Sequence, residues 1–492
     1  MKKSILFLLS LFFLGMPIVA DAQEQQEEVT EKPIVYRFRL QLTDKKGTKG
    51  KLNKPEAYLS KKAIERRKKQ GLGIDSTDLP ISAKYLSTLQ KDGLKVHCVS
   101  KWNNTVVVEV ADSLYGEQLA SNYPFVSSSR CIYITPRPKP APQRPQGRRP
   151  QGQRPQGQPQ AQQRPQPSAP RDRRDMVTNA LDTVADYYGG AQNQIAQLNG
   201  IELHNAGFNG TGITIGILDG GYTNADVVSV LDNVEILGTH NFVNPEEDIY
   251  GAGSHGLMVL SCMGSNKPNV LVGTAPGAKF WLLVSEDGNS EQLAEEDYWA
   301  AGIEYADSVV CDVVNTSLGY NDFDNDKDDT KYYEMDGHQH LISNSASLCA
   351  KKGMILCVSA GNSGDERWHK LTPPADAEDV LTVGALTAEG VNTTFSSLGY
   401  SADGRVKPDV TAQGQACAVV TPAGTVGRAS GTSFASPILC GMVASLWQAL
   451  PDYTAVELMQ LIREHGHNFA HPDEVYGYGT PDFFQTYLDA KR

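Results

Sequence analysis

Ile34, Tyr36, Phe38 and Leu40 interleave with Val35, Arg37, Arg39 and Gln41, a period of two that predicts a strand with one face on a core. Pro55-Glu56-Ala57 opens a stretch rich in Lys, Arg and Glu that predicts a helix to about Gln70. Two strand-like runs, L-K-V-H-C-V-S at 94–100 and N-T-V-V-V-E-V at 104–110, precede a helix near 112–120 and a strand near 125–133. The resulting β-α-β-β-α-β order over residues 33–135 predicts a small α+β domain of the ferredoxin-like kind. From about Asn193 to Arg492 the pattern changes. Apolar runs of strand length at 213–218, 280–284, 312–315, 354–358 and 380–384 alternate with helical stretches. Continuous apolar strands suit a parallel sheet covered by helices on both faces, so this part reads as an α/β domain.

Between the two lies a segment of another kind. R-P-Q-G recurs at 144–147, 149–152 and 154–157, inside a Pro-, Gln- and Arg-rich stretch from 136 to 175. Such a composition cannot assemble a packed core and reads as an extended, solvated linker. It holds ten Lys/Arg against two Asp, a net +8; the chain as a whole carries −12, so the remainder carries −20. An acidic remainder argues against nucleic acid as a partner, because phosphate binding needs clustered positive charge. The basic linker lacks the interleaved aromatics of a nucleic-acid reader.

At the N-terminus Lys2 and Lys3 precede an apolar run from Ile5 to Leu14, and Ala20-Asp21-Ala22 offers small residues for cleavage. Residues 1–22 therefore read as an export signal. The run is shorter than the roughly 20 residues of a membrane span, so the expected product is soluble, periplasmic or extracellular, with no membrane partner after signal removal. Eight cysteines permit disulfides without demanding them. Cys357 in M-I-L-C-V and Cys440 in I-L-C-G-M read as buried thiols, and no C-x-x-C or zinc spacing is present.

Three short motifs carry candidate chemistry. The run at 213–218 ends in Leu218-Asp219-Gly220-Gly221, which puts a carboxylate just past a strand's C-terminal end, where α/β sheets place functional groups; an Asp before Gly equally makes a plain turn. Ser254-His255-Gly256 opens an apolar helical stretch. Gly251-Ala252-Gly253-Ser254-His255-Gly256 also fits G-x-G-x-x-G, but N-P-E-E-D-I-Y precedes it where a dinucleotide site needs a strand. Gly431-Thr432-Ser433-Phe434-Ala435-Ser436-Pro437 leads into a nearly all-apolar helix, whose N-terminal N–H groups are open to an anion; a simple capping serine is the other reading.

Together these motifs resemble the subtilisin-like serine protease family over about 300 residues, in that family's order of Asp, His and Ser. G-T-S-F-A-S-P at 431–437 matches its nucleophile motif, and Ser359-Ala360-Gly361-Asn362-Ser363-Gly364 looks like its oxyanion-asparagine motif. Ser317-Leu318-Gly319 resembles its substrate-pairing strand, and A-P-G-A at 275–278, V-G-A at 383–385, F-S-S-L-G at 395–399 and K-P-D-V at 407–410 are weaker echoes. Gly220, Leu257 and Gln413 depart from the family's usual Ser or Thr, Thr, and Pro.

The resemblance implies a subtilisin-like parallel sheet flanked by helices over residues 176–492, preceded by a propeptide at 33–135. It implies a triad of Asp219, His255 and Ser433, with Asn362 as oxyanion donor. Ser317, Leu318, Gly319, Ala360 and Gly361 would contact a protein or peptide substrate. The propeptide would act as folding helper and intramolecular inhibitor of a monomeric enzyme, with release near Arg171, Arg173 and Arg174 and the product strand, near Ile132-Tyr133-Ile134, in the groove beforehand. No cofactor is required. Relatives often bind calcium, but Asp322, Asp324, Asp326 and Asp328 lack the Gly and Glu of an EF-hand loop and read as a solvated turn, so a structural calcium stays unassigned and no metal ligand is named. His338, His340, His465, His467 and His471 read as surface or packing residues. The rival readings are a weakly active peptide-binding protein and a peptide ligase on the same fold.

Overall fold

The computed structural model describes residues 34–48, 50–136, 187–251 and 253–492. The export signal, the linker beyond Pro136 and the processing candidates Arg171, Arg173 and Arg174 lie outside these residues. The first domain carries four antiparallel strands in the order Lys95–Ser100, Thr105–Val110, Tyr36–Leu42, Val126–Ile134. Alternation along them separates two faces. Phe38, Leu40, Val106 and Val108 pack into the domain's own core, whereas Val107 and Ile132 join a core shared with the second domain. The expected long helix from Pro55 is instead a 3-10 turn at Pro55–Ala57 and a helix at Lys61–Lys69, because Ser60 caps the latter by accepting from the Ala63 N–H at 3.2 Å. A further helix, Ala83–Lys91, starts at the Ser82 cap. Ile132, Tyr133 and Ile134 lie in the edge strand of this sheet, paired with Tyr36–Leu42, and not in a groove of the second domain.

The second domain is built on seven parallel strands, ordered Val410–Gln413, Leu381–Leu386, Ile355–Ser359, Val313–Thr316, Thr214–Asp219, Lys279–Val284, Glu235–Asn241. Successive residues point to opposite faces. Val313, Ile355 and Cys357 meet the helices His255–Gly264 and Thr432–Ala449 on one face, while Val314, Leu356 and Val358 meet Ala294–Ser308 and Leu341–Ser347 on the other. The first domain sits on this second face, against Ala294–Ser308. All eight cysteines are free thiols.

Candidate active site

Asp219 is the last residue of its strand, and burial of the strand leaves its carboxylate fully buried. Its Oδ1 accepts the Gly220 N–H at 2.8 Å and its two oxygens face His255 Nδ1 at 2.9 and 3.0 Å. His255 is the first residue of its helix and comes that close because glycines stand on either side of it, Gly253 in the loop before and Gly256 just after. A Cβ on Gly253 would lie 2.3 Å from the Gly220 carbonyl oxygen, and one on Gly256 would lie 2.7 Å from that of Gly221. The G-x-G-x-x-G pattern thus serves the approach of imidazole to carboxylate; no strand leads into it. Burial opposes the charge on His255, yet the Asp219 charge and hydrogen bond outweigh it, with help from Glu286, and raise the imidazole to about 9.

Ser433 is the second residue of the 18-residue helix Thr432–Ala449, whose first N–H groups have no partner within the helix. Its hydroxyl donates to the Ser317 carbonyl at 3.3 Å, and no hydrogen bond joins it to His255 among the described residues. The Ser317 hydroxyl donates in turn to the Ser433 carbonyl at 2.8 Å. Asn315 extends this link: its amide donates to Ser317 Oγ at 3.0 Å and its Oδ1 accepts from Ser436 Oγ at 2.8 Å. Asn362 follows the strand Ile355–Ser359. Thr432 holds it, the Thr432 N–H and hydroxyl donating to its Oδ1 at 2.9 and 3.0 Å. With the amide oxygen engaged twice, the amide NH2 is left to face the cleft.

Asp219, His255, Ser433, Asn362, Ser317, Leu318, Gly319 and Gly361 line one cleft of about 400 Å³. Ala360 does not: it is fully buried under the cleft, its N–H bonded to Val383. Leu257, where the family has Thr, packs into the core, and beside Gly220 the Glu286 side chain lies 3.7 Å from where a Cβ would be. Thr432, Asn315, Ser436 and Glu286 were not singled out from sequence; the first and third stand inside the Gly431–Pro437 motif, whereas Asn315 and Glu286 have no local signature. The aspartates of the 322–328 loop do not converge. Asp328 pairs with Arg130 at 2.7 Å and Asp324 accepts the Glu291 N–H at 3.3 Å, and among the described residues no group of three or more His, Cys, Asp or Glu is arranged to hold a metal. His340 contacts Glu296, His338 contacts Glu378, and His465 contacts Asp489.

Known proteins share this architecture. The model of the subtilase family matches residues 210–479, and that of a Peptidase S8 propeptide domain of Bacteroidota matches residues 37–147. Subtilisin NAT of Bacillus subtilis subsp. natto is 25% identical over 267 residues, which are 54% of this chain and 63% of that protein. Serine protease AprX of Bacillus subtilis (strain 168) is 27% identical over 303 residues, covering 55% and 65%. This chain thus spans less than two thirds of the length of either relative. MycP1 from the ESX-1 type VII secretion system shares the fold, with a TM-score of 0.50 at 18% identity over 63% of this chain and 89% of that one. More than half of the residues fall within the family match, and the chain belongs to the subtilase family, with a propeptide domain ahead of its subtilisin-like domain.

Proposed function

We propose that this chain is an exported serine endopeptidase that hydrolyses peptide bonds through an acyl-enzyme on Ser433, made as a precursor inhibited by its first domain. The observation that carries the reading is the meeting of a half-buried His255 on a buried Asp219, a helix-terminal Ser433 and an anchored Asn362 amide in one cleft. A serine hydroxyl is a weak nucleophile until a base takes its proton. His255 Nε2 is that base, while Asp219 fixes the tautomer and stabilises the imidazolium. For this the Ser433 hydroxyl must turn from the Ser317 carbonyl to His255. The bond it gives up is long for an O–H···O contact, whose usual range is about 2.5–3.0 Å, so the turn costs little. The Asn362 NH2 and the Ser433 N–H then receive the developing oxyanion. Export rests on the N-terminal pattern; no described helix is long and apolar enough to cross a membrane.

A fluorophosphonate, which phosphonylates activated serines with loss of fluoride, tests the reading. It should attach to Ser433 of the processed enzyme, and a protein that takes no label there is not a serine hydrolase. Asn362→Ala should lower kcat about 10²- to 10³-fold with little change in KM, the magnitude found for such a donor in a subtilisin.

The raised imidazole has its own consequence. The base works when neutral, so kcat/KM should rise with pH through an inflection well above the ordinary histidine value, toward about 9. Glu286, when ionised, favours the imidazolium. Glu286→Gln removes that anion and should move the inflection downward. A wild-type inflection near the ordinary histidine value, or no movement in the variant, would contradict this account.

A further inference from the structure

Next to His255 the cleft is lined by Glu286 and Glu291, and it continues past Gly319 into a second hollow of about 440 Å³ lined by Glu291, Asn321, Asp322 and Asp324. Glu295 lies buried behind them, its carboxylate accepting the Asp287 N–H at 2.7 Å. Among the described residues none of Glu286, Glu291, Glu295, Asp322 or Asp324 is in an ion pair, whereas the buried Asp78, Asp297, Asp307 and Asp409 each are. Burial and mutual crowding lift these carboxyls, Glu286 to about 7, Glu291 to about 8 and Glu295 to about 10. Tyr320 also lines the cleft. It is 2% exposed, its hydroxyl has no hydrogen-bond partner among the described residues, and after burial it is the charges of Glu295, Glu286 and Glu291 that most raise its phenol. An unpaired buried hydroxyl beside crowded, unpaired carboxylates is an expensive arrangement unless a ligand completes it. The acids do not form a metal cage, which leaves a ligand that brings positive charge and several N–H donors on one flexible stem.

We infer that Glu286, Glu291 and Tyr320 form a subsite for a lysine or arginine side chain of the substrate, on the acyl side of the bond that is cut. This rests on the peptidase reading above and adds a substrate class to it. The direction follows from the first domain. Ile134 is bonded through its N–H and carbonyl to the Gln292 side chain at 2.8 and 3.1 Å, one residue from Glu291. A chain running from there toward Ser433 meets the acidic wall with residues that precede the scissile bond. This protein's own sequence has that chemistry: Arg137 and Lys139 follow Ile134 closely, in the segment that carries a net +8. In the subsite the cation lies between the two carboxylates, and the Tyr320 oxygen accepts one of its N–H groups while its O–H donates to a carboxylate.

The test uses the processed enzyme and peptides that differ at one position, scanned over the four residues before the scissile bond, with arginine, lysine, citrulline or norleucine there. At one position arginine or lysine should raise kcat/KM about 10- to 100-fold over norleucine, the worth of a charged hydrogen bond, and citrulline should not match it. Glu291→Gln and Glu286→Gln should each cut that ratio several-fold; since the ratio is taken within one preparation, partial misfolding cancels. An enzyme whose Ser433 takes the phosphonate but shows no basic preference at any position, or keeps its preference in both variants, overturns the subsite and leaves the peptidase reading intact. A protein that neither labels nor cleaves overturns the peptidase reading, and the subsite falls with it.

Discussion

Ser433→Ala should lower kcat/KM toward a peptide about 10⁴- to 10⁶-fold, the scale on which loss of the nucleophile acts in a subtilisin. The size follows from what remains. The Asp219–His255 pair and the Asn362 amide do not depend on the Ser433 hydroxyl, whose one hydrogen bond among the described residues is the long one to Ser317. Fold and substrate groove should therefore survive, and only the step that forms the acyl-enzyme disappears. The residual rate reflects positioning and oxyanion binding alone. The same variant reports on maturation. If the linker is cut by the chain's own active site, purified Ser433→Ala should stay full length, as seen by intact mass, where wild type loses residues up to the linker. A variant clipped like wild type would assign processing to another protease while leaving the kinetic expectation in place.

How far these residues could be read from sequence depended on whether a position's role was local. The buried strands Thr214–Asp219, Lys279–Val284 and Ile355–Ser359 announce themselves, because strands covered on both faces must be apolar throughout. The edge strand Glu235–Asn241 alternates exposed and half-buried residues, and Val410–Gln413 has only four residues, so neither stood out. Asp219, His255, Ser433 and Asn362 each sit where an element begins or ends, and the short motifs that build those ends are legible in one dimension. Glu286 and Tyr320 carry no motif. They meet Glu291 only because two strand ends, after Val284 and after Thr316, adjoin the loop into the helix at Ala294. Ala360, expected to contact substrate, stands in the asparagine motif with its side chain in the core.

The helix Ala294–Ser308 also governs the second large expected effect. Five of its acids, Glu295, Glu296, Asp297, Glu304 and Asp307, are buried, and the first domain answers four of them. Arg39 Nε holds Asp297 at 2.8 and 2.9 Å and its Nη2 reaches Glu296 at 3.4 Å. Glu304 accepts the Lys101 and Trp102 N–H groups, each at 2.9 Å. Asp307, fully buried, takes Arg67 in a two-bond fork at 3.1 and 2.9 Å and is bonded by Arg66 as well. Burial works against its charge, yet the two guanidiniums keep its carboxyl below the usual range. Arg67 also bonds Asp78 at 2.9 Å, and Asp78 accepts from the buried Lys352 of the second domain at 3.0 Å. Asp307→Ala takes the shared carboxylate from both guanidiniums, leaving Arg66 with carbonyl acceptors and Arg67 with Asp78, and removing one partner of a buried pair costs about 3–5 kcal/mol. That is about 10²- to 10⁴-fold in the equilibrium between docked and undocked first domain. The amides of Lys101 and Trp102 report it directly, since their hydrogen bonds cross the interface. In full-length Ser433→Ala protein their hydrogen exchange should speed up by that factor on adding Asp307→Ala, while the Ile355–Ser359 strand keeps its protection. Equal acceleration in both places would mean the whole fold had been weakened. Unchanged exchange at Lys101 and Trp102 would mean that apolar contacts around Trp102, Val107 and Ile132 hold the propeptide in place without the help of charge.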